Sequence, residues 1–597
     1  MNLPRAALLW IGVLLVGGVA AVCLAASPPA AAGAPQMGVL TVCPDGPPTC
    51  GYGSIQAAVD AATDGDTIKV AAGTYSDVHS HAAPPGYNGA ATVVQIVYLD
   101  KTVTLRGGYT TAFVDPPDPE ANRTILNAGR QGRALFASGA TSPVIEGFTL
   151  TGGDADELGG DPWGYDGGGG VYVLTATATI SNNTIVENWA YTGGGGMVVS
   201  SEAAVTGNTI ANNHAGGLGG GMLLWQTVGT VDGNRFIANQ GSGLTVYECD
   251  GGQISNNTVQ GNQASWGAGI YVSYGQGIVV EDNLVTSNSA TEIGGGVLVH
   301  WSERVTVARN RVTGNFDGAG VVVLSSAPFT VTNNIMAGNL SDGIGRGLIV
   351  AYEASNGIAV HNTIVGNEYS GVSAEQGCHL ALINNIIAEQ PIGITTYSNP
   401  HGVTADSTLW WNNGTNIVGQ VTTSRDHTGN PAFVDLEGGD YHLGDRSAAL
   451  DQGVEAGVVD DLDGDPRPRA CLPDIGADEY PGVPAVQSLH VSSAISQSGY
   501  LTVTLTWNPP INAVTCTLRM SDSTITGANW DQAALIADSL GISVTQYTAG
   551  MVYDGGRRFF AIQCAACGDR CAVSQNAVWP RWVRFLPAAA GDVRAGR

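Results

Sequence analysis

Between Asn183 and Asn385 an asparagine returns every 23 to 28 residues, at positions 183, 208, 234, 257, 283, 310, 334, 362 and 385. In eight of the nine copies a second one follows five residues later (Asn188, Asn213, Asn239, Asn262, Asn288, Asn315, Asn339 and Asn367), and Gln390 takes its place in the ninth. Self-similarity at such a period describes a solenoid, in which each repeat buries its apolar face only against its neighbours. Counting from the first asparagine, position +2 is apolar in every copy, from Ile185 to Ile387, and position −3 is nearly as uniform, from Ile180 to Leu382. These positions lie five apart, whereas a straight strand buries positions an even number apart. The chain therefore turns a corner at the asparagine, a residue that tolerates the left-handed conformation β-branched side chains resist. Copies stacked along the axis can also form a ladder of side-chain amides.

Behind the second asparagine comes a glycine patch (Gly193 to Gly196, Gly219 to Gly221, Gly294 to Gly296, or Gly267 and Gly269), and then a short alternating strand such as Met197-Val198-Val199 or Val297-Leu298-Val299. Each repeat thus holds about three short strands and three bends, without the long amphipathic runs a helical repeat needs. The predicted fold is all-β: a right-handed parallel β-helix, followed by a small β-sandwich. Each coil advances by one strand spacing, roughly 4.8 Å.

The Φ-x-x-N-x-Φ-x-x-N coil resembles the repeat of the pectate-lyase-like superfamily of parallel β-helices. Tyr52 to Val59, then Asp64 to Val70 and Gly73-Thr74-Tyr75, resemble the short capping helix and first strand that open such domains. The resemblance spans residues 40 to 480 and implies the fold. It leaves activity open, because that fold hosts lyases, hydrolases, epimerases and non-catalytic surface proteins. The polygalacturonase set of Asn-x-Asp, paired aspartates and Gly-His-Gly does not occur together, and the Arg-x-Pro-x-x-Arg of pectate lyases is absent.

The formal net charge is −27 over 597 residues, with Lys69 and Lys101 the only lysines. Such a surface repels nucleic acid and anionic membranes, which excludes both as partners, and it disfavours a polyanionic substrate unless a cation mediates. Residues 1–33 read as a secretory signal, with Arg5 ahead of an apolar run from Ala6 to Ala26 and then small residues. The alternative is a membrane anchor, since the run is about long enough to span. Val22 argues against a lipoprotein signal at Cys23. The expected location is secreted or cell surface, the expected state a monomer, and membrane contact would come only through an uncleaved N-terminus.

Export permits disulfides. Cys43 and Cys50 are close enough in sequence to pair. Cys249 and Cys378 sit five coils apart, roughly 24 Å, which no disulfide spans because bridged Cα atoms lie within about 7 Å. Both are read as buried small hydrophobes. Loss of Cys23 would leave nine cysteines, so at least one thiol is free or intermolecular.

Residues 34–425 are assigned to the β-helix with its N-terminal cap. Over 426–481 the segments Asn430 to Asp435, Asp440 to Leu443, Asp461 to Pro468 and Asp474 to Tyr480 resemble the choice-of-anchor domain that closes many secreted bacterial β-helices. An open solenoid end exposes strand edges and core, so a cap is required there. Asp461, Asp463 and Asp465 alternate as calcium ligands can, and calcium is the one cofactor considered. The alternative is a structural turn held by Arg467. Over 482–590, Leu505 to Pro510, Ile525 to Trp530 and Phe559 to Ile562 resemble a fibronectin type III sandwich, in which Cys516 and Cys564 would lie on neighbouring strands and could pair. Residues 591–597 are a tail.

Counting from the last glycine of each patch, positions +1 and +3 are apolar and face inward (Leu244/Val246, Val297/Val299, Leu348/Val350), and at +4 to +6 the character changes. There stand Trp225, Tyr247, Glu248, Tyr274, His300, Trp301, Tyr352, Glu353, Glu375 and Tyr397. Aromatic rings beside carboxylates along one face suit a groove for a sugar chain. They equally suit bend fillers that stabilise neighbouring coils. Glu248 and His300, two coils and roughly 10 Å apart, form a candidate general acid/base pair, with Arg304 the nearby cation for a uronate carboxylate. Trp225, Tyr247, Tyr274, Trp301, Tyr352, Glu353 and Glu375 are the candidate substrate-binding residues. The acidic loop Asp154 to Asp166, with Trp163, could hold calcium or floor the groove, or be a solvated insertion. The sequence reading is an exported protein that binds extracellular polysaccharide along one flank without catalysis. The alternative is a polysaccharide lyase or glycoside hydrolase, and the two separate on whether carboxylates of adjacent coils converge in a cleft.

Overall fold

Three parallel sheets wrap one apolar core. The computed structural model describes residues 37–316, 318–342, 345–352, 354–397, 402–469, 472–481, 487–495, 500–508, 513–521, 532–541, 544–552, 559–566 and 576–578. The expected signal segment 1–33, the expected tail 591–597 and Glu353 fall outside these. The first sheet has 15 strands, the second 14 and the third 14; strands pair in parallel with their counterparts one coil away, except that His79–Ala82 pairs antiparallel with Thr92–Leu99 at the start of the third. The chain closes as a right-handed parallel β-helix, the hand that strand–crossover–strand connections take. The helix Ile55–Ala61 starts at Ser54, whose side chain accepts from the Ala57 N–H, and it buries Ile55, Ala58 and Val59 over the first coils.

The corner between the first and second sheets is held by the asparagines. Asn283 donates both its backbone N–H (3.0 Å) and its Nδ2 (2.9 Å) to Oδ1 of Asn310, and Asn257 does the same to Asn283 at 2.9 and 2.9 Å. Nδ2 of Asn283 also reaches the carbonyl of Ile254 on the preceding coil, at 2.9 Å. Each amide thus satisfies backbone groups that leave the sheet ladder at a turn. The second row stacks likewise, and Gln390 takes the asparagine's part by accepting from the Asn367 N–H at 3.0 Å. The row runs on to Asn413, one coil beyond the repeat visible in sequence.

One expectation is corrected. The left-handed residue is not the ladder asparagine but the one before it: Asn182, Asn256, Asp282, Arg309, Asn333, His361 and Asn384 have φ between 51° and 57°. Reversing the backbone there swings the next side chain inward. It also puts the −3 and +2 positions, such as Val280 and Val285, in the same core.

The segment expected as an end cap packs elsewhere. Leu443, Ala449, Leu450, Leu462, Ile475 and Ala477 join Ile335, Ala337, Val365, Ile386, Ala388 and Leu409, which face outward from the second sheet. His361 Nδ1 meets the Asp474 carbonyl at 3.0 Å, Asn384 binds Val454, and the Ala477 N–H donates to Thr363 Oγ1 at 2.9 Å. The segment therefore lies along the flank of the last coils. The final coil meets solvent through its own polar side chains, with Thr415, Asn416, Thr422, Thr423 and Ser424 exposed.

Beyond it, Gln487–Ile495, Tyr500–Asn508 and Gln546–Val552 form one antiparallel sheet. Ala534–Gly541, Ala513–Ser521, Phe559–Ala566 and Asn576–Val578 form a second. Val503, Leu505 and Trp507 of the first pack on Cys516, Leu518, Phe560 and Ile562 of the second, a small β-sandwich. Cys516 is disulfide-bonded and stands opposite Cys564 in register. Cys43 and Cys50 are bridged, while Cys249 and Cys378 are free and buried.

Replacing Asn310 by alanine strands the Asn283 amide and the Val280 and Ala308 carbonyls. We expect a loss of ~3 kcal/mol or more, with amide exchange accelerated first in the coils of Asn283 and Asn334. A denaturation midpoint unchanged from wild type would mean the ladder is not what holds the corner.

Candidate functional site

The strand after each glycine patch belongs to the third sheet, and its outer face is the floor of the site. Tyr271, Leu298, Val322, Leu324 and Ile349 point outward there yet are buried, with Leu218 and Ile293 from the bends before this sheet packed on them. Nearer the N-terminus, Phe136, Tyr172, Met197, Leu223 and Trp225 continue that face, with Tyr87 packed against them. The +4 residues align coil by coil as Trp225, Tyr247, Ser273, His300, Leu324, Ala351, Glu375 and Tyr397.

The next residue in each coil is a left-handed corner: Gln226, Glu248, Tyr274, Trp301, Ser325, Tyr352 and Gln376, with φ between 46° and 73°. Inside this corner a second ladder runs. The Thr227 N–H donates to Cys249 Sγ (3.4 Å), Gly275 to Ser302 Oγ (3.0 Å), Ser302 to Ser326 Oγ (3.0 Å) and Ser326 to Ser355 Oγ (3.4 Å). Cys249 is thus a member of a hydrogen-bonding row, beyond the apolar filler expected of it, and burial raises its thiol pKa to about 11. Outside the same corner the side chains are free to vary.

There the rings form a continuous chain across the coils. Centroids are separated by 3.9 Å from Trp163 to Trp225, 4.7 Å from Trp225 to Tyr247, 5.4 Å from Tyr247 to Tyr274 and 5.0 Å from Tyr274 to Trp301. Trp301 lies 3.8 Å from His300, which Trp266 covers from the other side at 5.6 Å. Tyr274, Trp301 and Tyr352 are 43%, 50% and 43% exposed. Trp225 and His300, expected to be exposed, are 1% and 6% exposed. Both project from the sheet rather than the corner, so Trp163 covers one and Trp266 with Trp301 cover the other.

Glu248 is exposed and accepts from Gln226 Nε2 at 3.0 Å. Glu375 accepts from Ser373 Oγ at 2.7 Å and lies 3.8 Å from Arg346. Arg304, on the far side of the corner, pairs with Glu303 at 3.8 Å. Among the described contacts no hydrogen bond or ion pair joins Glu248, His300 and Arg304. Tyr271 OH lies 3.4 Å from His300 Nδ1. Sequence reasoning missed Trp266 and Glu292, whose side chains are joined at 2.6 Å. They sit in the bend before the third sheet, a flange of paired strands Gln263–Trp266 and Ser289–Ile293 that the +4 to +6 window never sampled.

The three aspartates proposed for calcium diverge. Asp461 is buried and uses Oδ1 for the Asp463 and Asp465 N–H groups (2.9 and 2.8 Å) and Oδ2 for that of Glu479 (2.9 Å). Asp463 turns to His442 Nε2 (2.7 Å) and Asp465 to Arg469 (2.6 Å). Beside them Arg467 is buried against Glu479 and the carbonyls of Asp460, Asp474 and Gly476. This is the Arg467-held turn. Donor atoms that do converge belong to His442, Asp463 and Asp478, all within 4.8 Å of one another, with Asp440 hydrogen-bonded to His442 Nδ1.

Two family models match the chain: "Right handed beta helix region" over residues 133–312 and "Periplasmic copper-binding protein (NosD)" over residues 267–428. No curated protein matches. Among solved structures, a double mutant of the periplasmic alginate epimerase AlgG is 13% identical, with a TM-score of 0.40 over 57% of this chain and 85% of its own. DFA-IIIase from Arthrobacter chlorophenolicus A6 is 12% identical, with a TM-score of 0.27 over 75% and 99%. Tailspike protein 2 of bacteriophage CBA120 is 9% identical, with a TM-score of 0.25 over 88% and 67%. Among the described residues no helix is long and apolar enough to cross a membrane.

Burial lowers the His300 pKa below the ordinary 6.5. Its folded pKa lies under the unfolded one, so its contribution to stability is complete above pH ~6.5 and declines as the pH falls below that value. Imidazole NMR should place the His300 titration midpoint below 6.5. A midpoint at or above 6.5 would mean the tryptophans do not seal it.

Proposed function

We propose that this is an exported β-helix protein that binds polysaccharide along the ring-lined flank of the third sheet, without catalysing a reaction on it. The observation that carries the reading is the ring chain from Trp163 to Trp301. Flat apolar faces repeated at about the coil spacing, with carboxylates beside them, match the alternating C–H faces and hydroxyl edges of a sugar chain. The word periplasmic in the matched family's description and the N-terminal apolar run of the sequence support export, whether to a secreted or a surface-held form. The copper in that description is not carried over. Among the described residues, the converging donors His442, Asp463 and Asp478 lie outside the matched span.

Binding is favoured over lyase or hydrolase chemistry because three carboxylates among the described residues of the strip each have a partner of their own. Glu248 holds Gln226, Glu292 holds Trp266, and Glu375 holds Ser373. A glycosidase needs two carboxyls facing one bond. The arrangement of the C-terminal sandwich, three strands against four, supports reading it as a fibronectin type III-like module, which we assign to spacing or attachment.

Trp301 offers a clean test, because its left-handed backbone favours glycine by about 1 to 2 kcal/mol. In Trp301→Gly this gain offsets the lost stacking on His300, worth ~0.5 to 1.5 kcal/mol. The melting temperature should stay close to wild type. Glycan binding, read by calorimetry or a glycan array, should weaken by ~1 to 3 kcal/mol, a factor of roughly 5 to 150. A marked fall in melting temperature with no separate loss of binding would make the ring a structural filler and remove the proposal.

A further inference from the structure

We infer that the strip selects uncharged sugar chains and rejects polyuronates, an inference that rests on the polysaccharide-binding reading above. The argument is a charge inventory at the surface a ligand would touch. Glu248, Glu292 and Glu303 are exposed beside the rings, and Glu375 is half-buried further along the same row. Two guanidiniums lie near them, Arg304 and Arg346, and each already faces a carboxylate at 3.8 Å, on Glu303 and Glu375. Among the described residues of the strip, four carboxylates stand against two committed cations.

Geometry sharpens the point. The hydrogen bond from Trp266 Nε1 fixes the Glu292 carboxylate at the edge of the stack formed by Trp266, His300 and Trp301. Glu248 is tethered by Gln226 at the corner one coil before Tyr274. A chain lying along the axis would place successive sugars over successive coils, roughly 4.8 Å apart. A polyuronate laid there brings a carboxylate per sugar past fixed carboxylates with no uncommitted cation among the described residues to receive it. An uncharged chain brings hydroxyls, and a carboxylate oxygen is a strong acceptor for them. Burial also keeps His300 unprotonated at neutral pH, so the centre of the stack supplies no positive charge. The chain's net charge of −27 adds a longer-range repulsion that salt screens.

The test is calorimetric titration of the full chain with cellohexaose, xylohexaose and maltohexaose, and with hexagalacturonate of equal length, at low and high NaCl and with and without millimolar calcium. At least one uncharged hexasaccharide should bind about tenfold or more tightly than hexagalacturonate at low salt, and the gap should narrow as salt rises. In the double variant Glu248→Gln, Glu292→Gln, the affinity for hexagalacturonate relative to that for the uncharged ligand should rise about tenfold, the uncharged chain losing charged acceptors while the polyuronate loses a repulsion. Hexagalacturonate binding as tightly as the uncharged chains, in any condition at low salt, overturns the inference. So does a gap insensitive to both salt and the double variant. In either case a loss of binding in Trp301→Gly would leave the polysaccharide reading standing. Absence of binding by every ligand overturns that reading, and the inference with it.

Discussion

Everything in this protein hangs on the amide ladder. A parallel β-helix must turn the chain three times per coil, and each turn takes backbone donors and acceptors out of the sheets into a place water does not reach. The row Asn183 to Asn385 solves this with one side chain per coil, joined at 2.9 to 3.1 Å and buried throughout. The solution repeats in space, so successive coils stay aligned at that corner although they differ in length from 23 to 28 residues, and the sheets inherit that register.

Fixing two corners from within leaves the third as the place where variety is tolerated. Its inner side is tied by small hydroxyls and the Cys249 thiol, and its outer side presents one residue per coil in a left-handed bend. Glutamine, serine and glutamate fill that bend at some coils. Tyrosine and tryptophan fill it at 274, 301 and 352, where bulky side chains carry a conformational cost of about 1 to 2 kcal/mol each. Three large exposed rings at a turn that polar residues serve elsewhere are the feature on which the polysaccharide-binding proposal rests.

The fold was legible because its signal is arithmetic. A polar residue at a fixed interval between apolar positions five apart admits few structures, and the −3 and +2 positions are all in the core. What could not be read was phase within the bends. The left-handed residue precedes Asn283 rather than coinciding with it, and a single residue of phase decides whether a side chain such as Trp225 points from a sheet, where it is covered, or from a corner like Trp301, where it is not. Trp266 was invisible for another reason. It stands in a bend whose length changes from coil to coil, so no fixed offset from the glycines reaches it. At 461, 463 and 465 the alternation also describes a tight turn in which Asp461 accepts from the backbone of the other two.

The lateral course of residues 430 to 481 left a trace of its own in the repeat. The first outward position of the second sheet holds Thr184, Thr209, Arg235 and Thr258 in the early coils and Leu284 and Arg311 in the middle ones, and the second holds Val186, Ala211, Ile237, Gln260, Thr286 and Thr313. From there they include Ile335, Ile386 and Leu409, with Ala337, Val365 and Ala388 beside them. On a solvated face that change would expose an apolar patch. Here it is where Leu443, Leu450, Leu462 and Ile475 come to rest. Buried Arg467 braces the segment through Glu479 and three backbone carbonyls, so its apolar side chains arrive at the sheet as one unit. The late coils therefore carry two dependencies, one on the ladder inside and one on the segment outside. The third sheet keeps its outer face for the ring chain because the returning segment takes the second.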